Sequence, residues 1–241
     1  MKDAITNIRD GNIGDALKAY KERGFIDSES KTRGEAVSKL IETWKERGVE
    51  NPKDNLIIAQ TNAEVDSLNA QAQEARLAAG KLGWKHLEVG KERFHAGDRI
   101  IFTDHEKKLG VCKSEFGTVT DINVPRRTMT VQVDNAERPV TFSTDKFDGV
   151  RLGMAVTTHR SQSMTIDHDV FILAGGSMQS LEMSVVQFSR ARNNSRILID
   201  SETAGPELKN LEQQMTRSHE KTSAHAIARE IHIAHEHHLS L

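Results

Sequence analysis

A short apolar run that leads directly into a helix start is the feature that most constrains the fold of this chain. Residues 55–60, NLIIAQ, have the length and apolar character of a strand buried on both faces. The next four residues, TNAE, match the capping box that opens a helix, and Gly80 is placed to end it. The predicted inner face of this helix consists of Val65, Leu68, Ala72 and Leu77. Strand, turn and helix in this order predict an α/β domain.

The same alternation of helices and strands occurs on both sides of this unit. Apolar residues at helical spacing predict helices over 12–24 and 35–48, ahead of it. Later in the chain, VFIL at 170–173 and RILID at 196–200 predict strands, and the helix between them is expected over 180–192. We therefore divide the chain into a helical lead-in (1–50), an α/β domain (51–91 and 151–204), an inserted unit (92–150) and a polar tail (205–241).

The inserted unit, residues 92–150, has a different residue pattern from the α/β domain. Short runs rich in β-branched residues are separated by Gly, Asp, Asn and Pro at intervals of about ten residues, which predicts a small antiparallel barrel. Its cations either contact nucleic acid or are solvated turn residues; they are Lys107, Lys108, Lys113, Arg126 and Arg127.

Composition narrows the classes of function. The 241 residues carry a net charge of −2, so any nucleic-acid site must be local rather than a global basic field. The single Cys112 excludes an internal disulfide. No signal peptide or membrane span is visible, so we expect a cytoplasmic protein without membrane contact. The tail is predicted to be helical and rich in histidine, but no metal site is expected from it, because HEHHL at 235–239 lacks the H-E-x-x-H spacing.

Two polar segments stand out between the apolar runs. The first segment, TTHRSQSMTID at 157–167, follows a predicted strand and contains hydroxyls, an imidazole, a guanidinium and an amide. At such a position, short side-chain donors and free backbone N–H groups can bind phosphates. VVQFSRAR at 185–192 ends with two arginines. These segments resemble motifs V and VI of superfamily 1B helicases, specifically the RecD-like motor region of Ti-type conjugative relaxases. The segments 57–83 and 97–122 are also similar to that family.

The resemblance implies a RecA-like second motor domain, with helices on both faces of a parallel sheet, interrupted by a small barrel of the Src-homology (SH3-like) type. It assigns single-stranded DNA contacts to the residues Thr157, Thr158, His159, Arg160 and Ser161. It assigns nucleotide contacts to Gln162, Arg190 and Arg192. By motif match, Arg190 is the catalytic arginine finger, which stabilises charge on the γ-phosphate during phosphoryl transfer.

A P-loop is missing from the sequence. Neither Gly80-Lys81 nor Gly90-Lys91 has the upstream glycine and the following hydroxyl of G-x-x-x-x-G-K-[ST]. ATP and Mg²⁺ are therefore expected only with a partner P-loop domain, located upstream in a longer protein or in a separate chain, and no ATPase activity is expected from this chain alone. Tyr20 is the only tyrosine, and no relaxase nuclease is recognised. The relaxase domain and other conjugative transfer proteins are further partners implied by the resemblance.

Two alternatives stay open. Ser163, Gln187 and Phe188 depart from the family pattern, which favours a catalytically inert DNA-binding or adaptor module. A purely structural interaction domain would instead use the barrel and the histidine-rich tail to dock other transfer proteins. In the simplest interpretation, the segment TTHRSQS at 157–163 is a polar helix cap, and the two arginines are a solvated helix end.

Overall fold

The computed structural model describes residues 2–134, 136, 139–162 and 164–218. In chain order the elements are α1 (Lys2–Arg9), α2 (Ile13–Glu22), β1 (Ile26–Ser30), α3 (Arg33–Gly48), β2 (Leu56–Ala59), α4 (Asn62–Ala78), β3 (His86–Val89), β4 (Glu92–His95), β5 (Arg99–Phe102), β6 (Phe116–Asn123), β7 (Thr128–Val133), β8 (Val140–Ser143), β9 (Val150–Leu152), β10 (Ala155–Thr157), β11 (Asp169–Leu173), α5 (Leu181–Phe188), β12 (Asn194–Asp200), α6 (Ser201–Ala204), a 3₁₀ turn (Pro206–Leu208) and α7 (Lys209–Thr216).

A five-stranded parallel sheet forms the centre, in the order β1-β12-β11-β2-β10. Alternate residues of β2 point to opposite faces: Ile57 packs with α3 and α4, whereas Ile58 packs with α1, α2, α5 and α7. Both faces are therefore covered by helices, and β2 is apolar throughout because neither side of it meets water. The predicted α/β fold with a parallel sheet is confirmed.

A second sheet is antiparallel and runs in the order β8-β7-β6-β5-β9, with the separate hairpin β3–β4 beside it. Most of its apolar residues join the core beneath α3 and α4, whereas Ile101 packs in the core on the other face of the parallel sheet. The structure does not show the closed barrel of the Src-homology type, since β8 and β9 lie at opposite ends of this sheet and no ladder joins them within the described residues.

Three details differ from the sequence prediction. The strand β1 lies in a segment for which only helices were predicted, and it pairs with β12 at the edge of the parallel sheet. Leu77 was predicted to face inward but is 39% exposed. The buried positions in the last turns of α4 are taken by Gln73 and Arg76, which bond to polar groups beneath the helix, so Leu77 is left on the outside.

The third difference concerns the motif VI arginines. The helix α5 ends at Phe188, so Arg190 and Arg192 do not belong to it. The backbone between them instead pairs with Ile166, which donates to the Arg190 carbonyl and accepts from the Arg192 N–H, each at 2.9 Å. In the predicted helical tail, α7 is present, whereas residues 219–241 with their histidines, and also Ser163, lie outside the described residues.

Candidate nucleic-acid interface

The carboxyl ends of three parallel strands bring the start of the 157–167 segment next to the segments that follow β2 and β11. The segments that leave β2, β10 and β11 all start at this edge of the sheet, where ligands of open α/β folds bind. The Thr61 hydroxyl accepts from the Glu64 N–H, and the Glu64 carboxylate accepts from the Thr61 N–H, so the capping box predicted from TNAE is confirmed.

The hydroxyl groups of the 157–162 segment are divided between interior and surface. Thr158 and Ser161 are fully buried. The Thr158 hydroxyl donates to the carbonyl of Ala59 at 3.3 Å, and the Ser161 hydroxyl donates to the carbonyl of Thr158 at 2.8 Å. These two side chains therefore fix the shape of the turn from within.

The other members of this segment are open to solvent. His159 and Gln162 are exposed, and Thr157 and Arg160 are half-buried. His159 and Gln162 form one wall of an open, mainly apolar groove; the remaining lining residues are Ser177, Met178, Ser180, Glu182, Met183 and Val186. An imidazole and thioether groups beside an open backbone turn suit base stacking better than base-edge recognition, because they offer few fixed donors or acceptors.

The Arg190 side chain fixes this turn through hydrogen bonds to its backbone carbonyls. Its Nη1 donates to the carbonyls of Ser161 (3.3 Å), Gln162 and Met164 (3.0 Å). Its Nε donates to the Val186 carbonyl at 3.0 Å. Burial lowers the pKa of Arg190 from its usual value, although the group stays charged at neutral pH. The guanidinium thus joins the end of α5 to the 157–162 segment.

Arg192 has a different environment. Its Nη1 lies 2.9 Å from Asp167 Oδ1, and both side chains are more than half exposed. An ion pair of this kind contributes little to stability and exchanges readily with another anion. The two arginines predicted to contact nucleotide therefore differ: one is built into the fold and the other is accessible.

A chain of buried amides connects the same segment to the centre of the sheet. Gln187 donates to the Thr158 hydroxyl at 2.9 Å, Gln179 donates to Gln187 at 3.1 Å, and Gln60 donates to Gln179 at 2.5 Å. All four residues are at most 5% exposed. Their satisfied polar groups make the edge rigid, because any one left unpaired would cost its desolvation energy.

Sequence reasoning assigned no role to Gln60 or Gln179 and treated Gln187 only as a departure from the family pattern. One signal was available: Gln187 lies three and four residues after Ser184 and Met183, on the buried side of α5.

Arg33 is a second residue without a sequence signal. Its guanidinium donates to the carbonyls of Ala174 (2.5 Å) and Gly175 (3.3 Å), and pairs with Glu64 at 2.7 Å. It therefore ties the start of α3 to the capping box of α4 and to the loop after β11. The contact spans 141 positions to Ala174, which no local pattern indicates.

The described part of the chain lacks two further kinds of feature. No group of three or more His, Cys, Asp or Glu side chains there could hold a metal ion. None of the described helices combines the length and apolar character needed to cross a membrane.

Two solved helicase structures share the fold of this chain. The structure aligns with the Pif1 helicase from Bacteroides in complex with ADP-AlF3 and ssDNA, at a TM-score of 0.53 and 17% identity over 86% of this chain and 49% of that chain. It also aligns with the Pif1 helicase from Candida albicans, at a TM-score of 0.53 and 12% identity over 95% of this chain and 57% of that one. The chain therefore shares its fold with part of these two Pif1 helicases.

The sequence gives the more specific relationship. Over 201 residues, or 82% of this chain, it is 32% identical to the conjugal transfer protein TraA of Agrobacterium fabrum. The chain is a homologue of a segment of the TraA conjugal transfer proteins, which confirms the resemblance to conjugative relaxases with a helicase region. It spans 18% of the length of that relative. No protein-family profile matches the chain.

Proposed function

We propose that this chain is the second motor domain of an ATP-dependent DNA helicase within a conjugative transfer protein, and that it acts in the cytoplasm by gripping single-stranded DNA. The homology to TraA and the helicase fold support this assignment. The observation that carries it is the 157–162 segment, which is held from below by Arg190 and Gln187 while His159 and Gln162 face the open groove.

A motor must bind its strand without reading sequence and must release it in each cycle. Bases would stack against His159 and the apolar lining of the groove, and phosphates would meet Thr157, Arg160 and the backbone of the turn. Thr158 and Ser161, which are buried, would act by positioning this turn rather than by touching DNA. The grip would therefore depend on a rigid turn with an exposed rim.

Nucleotide would be held mainly by a P-loop domain outside this chain, together with Mg²⁺. In this proposal Arg190 is the arginine finger and stabilises charge on the γ-phosphate. Its Nη2 carries two hydrogens, of which one is donated to the Ser189 hydroxyl at 2.8 Å, and the other has no acceptor among the described residues. Arg190 can thus contact a phosphate while its Nη1 keeps hold of the 157–162 turn, and Gln162 lies next to that contact. Arg192 would be an accessible second cation.

The test is fluorescence anisotropy of a labelled single-stranded oligonucleotide, titrated with this chain at several salt concentrations. His159→Ala should weaken binding by about 1–3 kcal/mol, the range expected for one stacked base. His105→Ala is the matched control, since His105 is also an exposed histidine but lies outside the groove. Equal affinity of both variants and the unchanged chain would contradict the proposed grip.

The catalytic part requires the longer protein that contains the P-loop domain. There, Arg190→Ala should lower ATP turnover by several powers of ten, whereas Arg192→Ala should leave most of it. Strand binding with a turnover that does not depend on Arg190 would support the inert DNA-binding module instead.

A further inference from the structure

The two tryptophans of the chain have opposite environments. Trp44 is fully buried, whereas Trp84 is 84% exposed. Most other large apolar residues of the described chain are buried, and the next most exposed, Val124, is at 43%. A tryptophan side chain gains free energy mainly when its large ring is buried, and Trp84 leaves most of its surface in water. Its exposure therefore calls for a functional explanation.

The backbone that presents Trp84 is fixed. The N–H of Gly83 donates to the carbonyl of Ala96 at 2.8 Å, and the carbonyl of Gly83 lies 2.7 Å from His95 Nδ1. A Cβ at Gly83 would lie 3.2 Å from the Cβ of Ala96, so the chain here packs closely against the segment after β4. The indole is therefore an exposed ring on a rigid support rather than part of a loose loop.

The surroundings combine apolar area with positive charge. Trp84, Lys85 and His86 line a shallow cavity together with residues 121–125, which are the end of β6 and the start of the turn to β7. Lys85 Nζ lies 5.4 Å from the centre of the Trp84 ring. Arg126 is exposed in the same turn, and neither it nor Lys85 has an ion-pair partner within the described residues. Asp121 is the acidic member of the lining.

We propose that Trp84, Lys85 and the 121–126 segment form a second contact site for single-stranded DNA, in which a base stacks on the indole and phosphates lie near Lys85 and Arg126. An open ring beside unpaired cations fits a nucleic-acid base and its phosphates better than an apolar protein surface, which would leave those cations unpaired. The inference rests on the proposed function in one respect, namely that a single strand is the ligand.

This site is distinct from the groove at the carboxyl edge. The helix α4 begins at that edge and has 17 residues, a length of about 25 Å at 1.5 Å per residue. Trp84 follows its other end. A strand that occupied both sites would cross the length of α4, so the second site would guide DNA that has passed, or has not yet reached, the first.

Intrinsic fluorescence provides a direct test. The difference between the emission of the unchanged chain and that of Trp84→Phe reports on Trp84, since Trp44 is common to both. An oligothymidylate of about six nucleotides, within the size of a single-strand site, should quench this difference signal. The double substitution of Lys85 and Arg126 by Ala should weaken the quenching titration roughly 5- to 100-fold, as expected for the loss of phosphate contacts. Lys18→Ala, an exposed lysine on α2, should not change it.

The outcomes separate this proposal from the proposed function. Quenching of Trp84 that persists in His159→Ala would establish a second site. Anisotropy that shows binding while the Trp84 signal stays constant would overturn the second site, leave the groove at the carboxyl edge intact, and indicate that Trp84 meets a protein surface. If quenching occurs but His159→Ala has no effect on anisotropy, the proposed grip fails and the Trp84 site stands.

Discussion

The side-chain amide of Gln187 donates to the hydroxyl of Thr158 at 2.9 Å, with both residues fully buried. The first residue belongs to α5 and the second to the turn after β10, and the bond connects the two predicted motif segments across 29 positions of the chain. A residue that departs from the helicase pattern is thus a structural connection between the two motifs.

Replacing Gln187 by Met tests this connection. Methionine has a similar length and no donor, so the Thr158 hydroxyl and the Gln179 amide would each lose a partner. We expect the free energy of unfolding to fall by about 1–3 kcal/mol. Urea denaturation measures it, and Gln162→Met, the same substitution at an exposed position, should stay within about 0.5 kcal/mol of the unchanged chain. Equal stabilities of the two variants would contradict the prediction.

Arg190→Lys should loosen the 157–162 turn. Lysine is a point charge and cannot reproduce the planar fork that donates to several carbonyls at once. The Met164 N–H, which donates to the Ser161 carbonyl at 3.0 Å, should exchange with deuterium faster in this variant. Arg192→Lys is the comparison, because its exposed ion pair with Asp167 contributes little. Unchanged protection of Met164 in Arg190→Lys would show that the fork is dispensable.

Asp98 predicts an unusual dependence of stability on pH. Burial raises the pKa of this carboxyl from 3.8 to about 7. Hydrogen bonds from His95 and Gln73 and the charge of Arg76 lower the pKa, but by less than burial raises it. Since the folded pKa lies above the unfolded one, the stabilising contribution is complete below pH 4 and is lost as the pH rises through about 7. The loss is on the order of 4 kcal/mol.

The variant Asp98→Asn should lack this loss and should therefore be the more stable chain at pH 8, with a smaller advantage at pH 5. Burial lowers the pKa of His95, which gives the opposite trend, and comparison of the two chains at each pH cancels it to first order. Urea denaturation at both pH values is the measurement. A difference that does not change with pH would show that Asp98 does not titrate in this range.

Two glycines of α3 should respond oppositely to alanine. At Gly48, the Cβ would lie 2.0 Å from Trp44 Cε2, inside a ring that is fully buried. We expect Gly48→Ala to lower the free energy of unfolding by about 1–3 kcal/mol through overpacking. At Gly34 the nearest atom would be 3.9 Å away, so the same change should stabilise the helix by up to about 1 kcal/mol. Thermal melting compares them, and a stabilised Gly48→Ala would contradict the packing of Trp44.

The sequence alone determined the elements whose signals are local. The apolar run of β2, the capping box of α4 and the strand β11 follow from residues within a few positions of one another, and they establish the α/β class. The two motif segments, 157–167 and 185–192, were likewise recognisable in the sequence. Their resemblance to conjugative helicases is confirmed by homology to TraA, while the roles of the individual site residues stay predictions.

Tertiary structure decided which of those residues face water and which hold the site together. Thr158 and His159 are neighbours in the same polar run, yet one is buried under Gln187 and the other is exposed. The strand β1 was missed because IDSES has little apolar character, and its place in the sheet comes from pairing with β12. Such outcomes depend on contacts between segments far apart in the chain, where the desolvation of a polar group is balanced by a partner that no local pattern specifies.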